Sequence, residues 1–239
     1  MSVALSAPPA PAPVLPIDLE GVGVDLDGRT VLDGIDLRLR EARIGVIGAN
    51  GSGKSTLARL LNALQLPSRG RVKVDRSDTR SDARAIRRRV GFVFQNPDNQ
   101  IVYPTVAEDL AFGLKNIGCG REESERRVAR ALSRHGMADF GPRAVHQLSG
   151  GEKQLIALMG VTLMEPDCIV LDEPTTALDL RHRRRFMAAL ESMDCTVIMV
   201  THDLDALRSF DRVILLEDGA VRADGSPAAS IAAYVRSCT

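Results

Sequence analysis

Nine residues constrain this chain more than any other stretch. Gly48-Ala49-Asn50-Gly51-Ser52-Gly53-Lys54-Ser55-Thr56 fits the spacing G-x-x-x-x-G-K-[ST]. Ahead of it, Ile44, Val46 and Ile47 form the short apolar run of a buried parallel strand. Behind it, Leu57, Leu60, Leu61 and Leu64 fall at i, i+3, i+4 and i+7, one face of a helix. Strand, glycine-rich turn and helix in that order let the backbone curl around a polyphosphate with its N–H groups inward. The helix N-terminus adds partial positive charge. In such a loop Lys54 neutralises the β- and γ-phosphates, and the Ser55 hydroxyl helps hold Mg²⁺.

The rest of the chain must supply a sheet for that strand. Cys168 to Leu171, Thr196 to Thr201 and Arg212 to Leu216 are short β-branched or apolar runs separated by helical patterns, which argues for a parallel sheet. Ile17 to Leu39 alternates loosely around Asp27-Gly28, a hairpin signal, and reads as antiparallel strands. Val72 to Val74 and Val90 to Phe94 are further strands, and Ser77 to Arg89 a turn and a solvated, Arg-rich helix. From Asn96 to Gln147 no buried strand appears, and Arg121 to His135 reads as an amphipathic helix. That stretch looks like a helical lobe set into the core, with another helix over Leu155 to Met164. Asp218-Gly219 and Asp224-Gly225 mark turns. Residues 1–16, rich in Ala and Pro, read as a disordered leader.

Composition excludes several classes. Lys plus Arg and Asp plus Glu are 31 each, and aromatics are 3% with no Trp, so neither charge nor base-stacking surface points to nucleic acid. Cys119, Cys168, Cys195 and Cys238 form no C-x-x-C pair, so free thiols are expected rather than zinc or disulfides. No segment reaches the roughly 18 apolar residues of a membrane span, and no signal peptide is read.

Two further motifs carry chemistry. The run ending in Asp172-Glu173 places two carboxylates at the carboxyl end of a strand, where ligands of parallel sheets bind. Asp172 is expected to hold Mg²⁺ and Glu173 to take a proton from an attacking water. Ser149 and Glu152, in Leu148-Ser149-Gly150-Gly151-Glu152, form a capping box that opens a helix. Gly150 and Gly151 bare its first N–H groups, which makes a second anion site.

Taken in order, Gly48 to Thr56, Gln95, Leu148 to Glu152, Asp172-Glu173, Ala177-Leu178-Asp179 and His202 resemble the motif series of ATP-binding-cassette ATPases, from about Ile17 to Ala223. Phe94 to Gly113 is similar to the energy-coupling-factor type, which drives uptake of vitamins and metal ions. The resemblance implies an α/β fold: a P-loop NTPase (RecA-like) core with an antiparallel β subdomain and an inserted α-helical subdomain. Residues 17–239 would form one nucleotide-binding domain, with the helical subdomain at about 96–160.

It also implies roles. ATP and Mg²⁺ bind at residues 48–56, with Ser55, Gln95 and Asp172 around the metal. Ser149, Gly150, Gly151 and Glu152 of one copy cover the γ-phosphate held by Lys54 of another. Gln95 joins the metal and the attacking water to the helical lobe, Asp179 works across the contact, and His202 bonds the γ-phosphate and positions Glu173. His135, His146 and His182 match no motif and are read as surface or structural residues. Family members commonly stack an aromatic residue on adenine. Gly21 to Gly28 has none, so Val24 or Leu26 is expected in its place.

The implied protein is an ATPase on the cytoplasmic face of the inner membrane, working as a homodimer or with a paired homologous ATPase. Its partners are a transmembrane coupling subunit and a substrate-binding membrane subunit. Biotin is the favoured cargo and cobalt or nickel the alternative. A soluble cassette ATPase acting on DNA or ribosomes usually carries two cassettes in one chain or a long coiled-coil insertion between the motifs, and the 118 positions from Lys54 to Asp172 hold no heptad array. A nucleotide binder without turnover fits poorly with Lys54, Glu173 and His202 all in place.

Overall fold

The computed structural model describes residues 14–238. Two sheets organise it. The first is antiparallel and comes from β1 (Ile17–Leu26), β2 (Arg29–Leu39), β4 (Arg69–Val74) and β5 (Ser77–Asp78), ordered β2-β1-β4-β5. Asp27-Gly28 makes the β1–β2 turn as the sequence predicts. Both residues have positive φ, 49° and 75°, which a two-residue turn between right-twisted strands requires.

The second sheet has six strands, ordered β10-β9-β3-β8-β7-β6. These are β3 (Arg43–Ile47), β6 (Val90–Val93), β7 (Cys168–Asp172), β8 (Thr196–Val200), β9 (Arg212–Glu217) and β10 (Ala220–Gly225). All pair in parallel except β10, which returns antiparallel on β9. Alternation sorts the central strands between two cores. Ile198 and Val200 of β8, with Ile214 and Leu216 of β9, face α1 (Lys54–Leu61) and the antiparallel sheet. Val197, Met199, Val213 and Leu215 face the other side. There they meet helices α5 (Gly150–Thr162), α6 (Leu180–Glu191) and α7 (Pro227–Ser237). α2 (Ala83–Arg89) precedes β6, and between β6 and β7 lie α3 (Val106–Asn116), α4 (Arg121–Arg134) and then α5. They bury Val106, Leu110, Leu114, Val128 and Leu132, and no strand interrupts them.

Two expectations are corrected. Residues 1–13 of the leader lie outside the described residues, but its end packs down. Leu15 is buried at 3% exposure and its N–H donates to Thr196 Oγ1 at 2.9 Å. A leucine beside an accepting threonine gains more from burial than the flanking prolines suggest. Asp224-Gly225 is not a turn but the end of β10, paired with Ile214 and Val213. Asp218-Gly219 alone makes that reversal, with φ of 48° and 78°.

Candidate functional site

The carboxyl ends of the parallel strands meet over a cleft of about 660 Å³. Gly48, Ala49, Asn50, Gly51, Gly53, Lys54, Ser55 and Thr56 line it from the end of β3, Gln95 from beyond β6, Glu173 from the end of β7 and His202 from beyond β8. Residues scattered over more than 150 positions are thus joined by strand order alone.

The loop leaves no room for side chains at its base. A Cβ on Gly48, at φ 150°, would lie 2.1 Å from the Leu216 carbonyl oxygen. One on Gly53, at φ 96°, would lie 2.6 Å from Leu32 Cδ2. Lys54 is buried, and its Nζ donates to the Gly48 and Ala49 carbonyls at 2.8 Å each. Burial pushes its pKa down, and the charges of Glu173 and Asp172 oppose that shift. A desolvated cation turned onto its own loop has an unmet demand for an anion. Ser52 Oγ, also buried, has no hydrogen-bond partner among the described residues.

Asp172 lies beneath the loop at 3% exposure. Its Oδ1 accepts from Ser55 Oγ at 2.8 Å, and Arg59 Nη2 lies 3.9 Å from Oδ2. Burial raises its pKa, partly offset by Ser55, Arg59 and Lys54. A hydroxyl and a carboxylate in contact at the end of a phosphate loop suit Mg²⁺, which takes few protein ligands and completes its shell with phosphates and water.

Glu173 stands at the rim with φ 49°, a backbone cost of about 1–3 kcal/mol for a non-glycine residue. Its N–H donates to the Val200 carbonyl at 2.9 Å, which anchors the bend that turns its side chain into the cleft. His202 Nδ1 is 2.7 Å from Glu173 Oε2. The His202 N–H at 3.3 Å and Thr176 Oγ1 at 3.2 Å donate to that same oxygen. Oε1 accepts from no described residue, so one carboxylate oxygen is held and the other left for a proton.

The Ser149 to Glu152 corner is not part of this cleft. It caps α5 as the capping box requires. Ser149 N–H and Oγ both donate to Glu152 Oε2 at 2.7 Å, and Glu152 N–H donates to Ser149 Oγ at 3.3 Å. The serine donors hold the Glu152 carboxyl below its usual range. Ser149 and Gly150 are exposed, with open space around Gly150. Asp179 similarly caps α6 and is exposed. One chain therefore carries the cleft and, apart from it, an exposed capped helix start that does not line it.

Of the two adenine candidates, Val24 is corrected. It is fully buried in the β1–β2 core and presents nothing to a base. Leu26 is 38% exposed, and Val31 lines the cleft. Tyr234, on α7, also lines the cleft, and no motif in the sequence marks it. Ser226-Pro227, an N-cap followed by proline at the first helical position, is the sequence signal that announces its helix. Ser230, one turn earlier, fixes the helix face by donating to the Val213 carbonyl at 2.6 Å.

A family model described as ABC transporter matches residues 32–176. A putative ABC transporter ATP-binding protein of Deinococcus radiodurans is 54% identical over 91% of this chain and 96% of that protein. The biotin transport ATP-binding protein BioM of Rhodobacter capsulatus is 42% identical over 92% of this chain and 94% of that protein. Among solved structures, cbiO1 from Clostridium perfringens, part of the ABC transporter complex cbiONQ, superposes with a TM-score of 0.80 at 33% identity, covering 92% of each chain. The ATP-binding cassette MJ0796, in a dimeric post-hydrolysis state bound to ADP and Pi, superposes with a TM-score of 0.80 at 29% identity, covering 88% of this chain and 98% of that one.

Proposed function

The chain belongs to the ABC transporter family and is an ATPase that uses Mg²⁺, and from that premise we propose that two copies, or this chain and a homologous ATPase, close on two ATP molecules to drive an energy-coupling-factor-type importer. The observation that carries this reading is the separation just described. Lys54, Ser55, Glu173 and His202 share one cleft, while Ser149 to Glu152 sits exposed at the start of α5, outside it. The corner holds its own Glu152 carboxylate, and its open Gly150 side would meet a γ-phosphate only on a second chain placed head to tail.

Within each site, Lys54 turns from its own carbonyls to the β- and γ-phosphates. Ser55, Asp172 and Gln95 would hold Mg²⁺, which when bound neutralises charge on the phosphates. Glu173 accepts the proton of the attacking water on Oε1, while His202 fixes Oε2 and reaches the γ-phosphate. The Ser149 corner binds only while a γ-phosphate is there to bind, so loss of that group releases the second copy.

Residues 96–160 would act as a helical subdomain that passes this closure on. Phe94 N–H donates to Gln100 Oε1 at 3.2 Å, and Gln100 Nε2 to the Ala157 carbonyl at 2.8 Å. Gln95 lines the cleft, and its neighbour Phe94 is tied to α5 both through Gln100 and by its carbonyl, which accepts from Gln154 Nε2 at 3.1 Å. Beside it runs an exposed apolar groove with Leu64, Val102 and Phe112 along it, and the Tyr103 ring packs tilted against Phe112, centroids 5.1 Å apart. Such a patch on an ATPase marks a partner site. We assign it to a transmembrane coupling subunit that works with a substrate-binding membrane subunit. No helix among the described residues is long and apolar enough to cross a membrane, and the chain would sit peripherally on the cytoplasmic face of the inner membrane.

Biotin is the proposed cargo, supported by 42% identity to BioM across 94% of that protein. Cobalt or nickel is the second reading; for cobalt it is supported by 45% identity to the cobalt import ATP-binding protein CbiO of Syntrophus aciditrophicus across 73% of that protein. Purifying the tagged chain from membranes and identifying its co-purified subunits by mass tests both assignments. Recovery of a coupling subunit with a biotin-binding membrane protein supports the first, recovery with a cobalt- or nickel-binding one supports the second, and recovery of ribosomes or DNA-bound factors contradicts both.

A further inference from the structure

The head-to-tail reading needs two separate loops of one chain, the Ser149 corner and the Asp179 turn, to meet the second copy together. One imidazole links them. Asp179, the N-cap of α6, accepts from the His182 N–H on Oδ1 at 2.8 Å. Its Oδ2 lies 2.9 Å from His182 Nδ1, so backbone and ring of His182 are both fixed to the same carboxylate. The His182 side chain is only 20% exposed.

Its carbon edge lies against the other loop. A Cβ on Gly151 would fall 2.3 Å from His182 Cγ, 2.5 Å from Cδ2 and 2.7 Å from Cβ. No such crowding exists at Gly150, where a Cβ would meet nothing within 4 Å. The two glycines therefore differ. Gly150 leaves the α5 N-terminus open to an anion, while Gly151 is a seat for the histidine ring. His182 matches no nucleotide motif and does not line the cleft.

We propose that His182 is a positioning residue that locks the Ser149 to Glu152 corner to the Asp179 turn, so that both face the second copy as one rigid unit. The inference rests on the composite-site reading above. Without the wedge, α5 and α6 each keep their caps, but the two exposed corners move independently. Association must then fix a geometry that the free chain no longer holds.

The test uses Glu173→Gln as parent, with ATP-driven dimerisation followed by sedimentation and ATP binding measured separately below the dimerising concentration. Adding His182→Ala weakens dimerisation about tenfold or more, the size of a lost charge-assisted hydrogen bond, and leaves ATP binding to the single chain unchanged. His182→Asn, which keeps a donor for Asp179, recovers part of that loss. Gly151→Ala displaces the ring and weakens dimerisation as well. Combined with His182→Ala it adds nothing further, because both changes break one contact. Dimerisation of His182→Ala with parental affinity overturns the inference, as do fully additive effects of the two changes. Should the parent bind ATP and stay monomeric, the composite site itself fails and takes the inference with it.

Discussion

Gly48→Ala is the sharpest test of how the cradle is built. The new methyl carbon would sit 2.1 Å from the Leu216 carbonyl oxygen and 2.7 Å from Ser52 Oγ, where ordinary contact begins at 3.4 Å. Leu216 is backbone in β9, whose neighbour Leu215 pairs with Ile47, so the acceptor cannot retreat without parting the sheet. The loop must move instead, by more than an ångström. Forced overpacking of this kind costs about 2 kcal/mol, which lowers Tm by roughly 4–8 °C in a chain of this size. A displacement of that order at a phosphate site lowers turnover about a hundredfold. Gly51→Ala is the control. Its φ is 82° but nothing lies within 4 Å, so it bears backbone strain of about 1–2 kcal/mol without the collision. Thermal melting with and without ATP, beside steady-state hydrolysis, reads both variants. If Gly48→Ala melted and turned over like Gly51→Ala, the close approach of loop to β9 would not be what shapes the site.

Other perturbations separate the remaining roles. Glu173→Gln keeps ATP binding and loses about 10²–10⁴ in hydrolysis rate, and retention of most of the rate in a phosphate-release assay would remove Glu173 as the base. Lys54→Ala abolishes the ATP-dependent rise in Tm, which for the parent at a hundredfold excess over Kd reflects about 2.7 kcal/mol; an undiminished rise contradicts its phosphate role. Val102→Glu and Phe112→Glu each release the membrane partner while the isolated chain hydrolyses ATP as before, so loss of nucleotide affinity instead would argue against docking there. The chain has no Trp and only Tyr103 and Tyr234, and only Tyr234 lines the cleft. ATP should therefore change tyrosine emission in Tyr103→Phe but not in Tyr234→Phe, and the reverse pattern would place α7 wrongly.

Much of the fold was legible because its signals are local. The strand before Gly48, the helix after Lys54 and the capping box at Ser149 each depend on residues within a turn of one another. The order of strands was not legible, since nothing in Cys168 to Leu171 says that it lies between β6 and β8. Asp224-Gly225 reads as a turn by composition, yet pairing with β9 overrides that local preference. Val24 illustrates the same limit. Its neighbours left it free to face a nucleotide, but the strand's alternation, visible only once β1 is paired, turns it into the core. His182 could not be found from sequence because its partner Gly151 lies 31 positions away on another helix.

The central claim is that each ATP site is made by two chains, and mixing two inactive variants tests it directly. Lys54→Ala spoils only a copy's own cradle, and Ser149→Arg only the corner it offers to its partner. Each alone should be inactive. Mixed, they form pairs in which the intact lysine of one copy meets the intact corner of the other, and ATP hydrolysis returns. A mixture as inactive as its components would mean that each chain closes its site without the other.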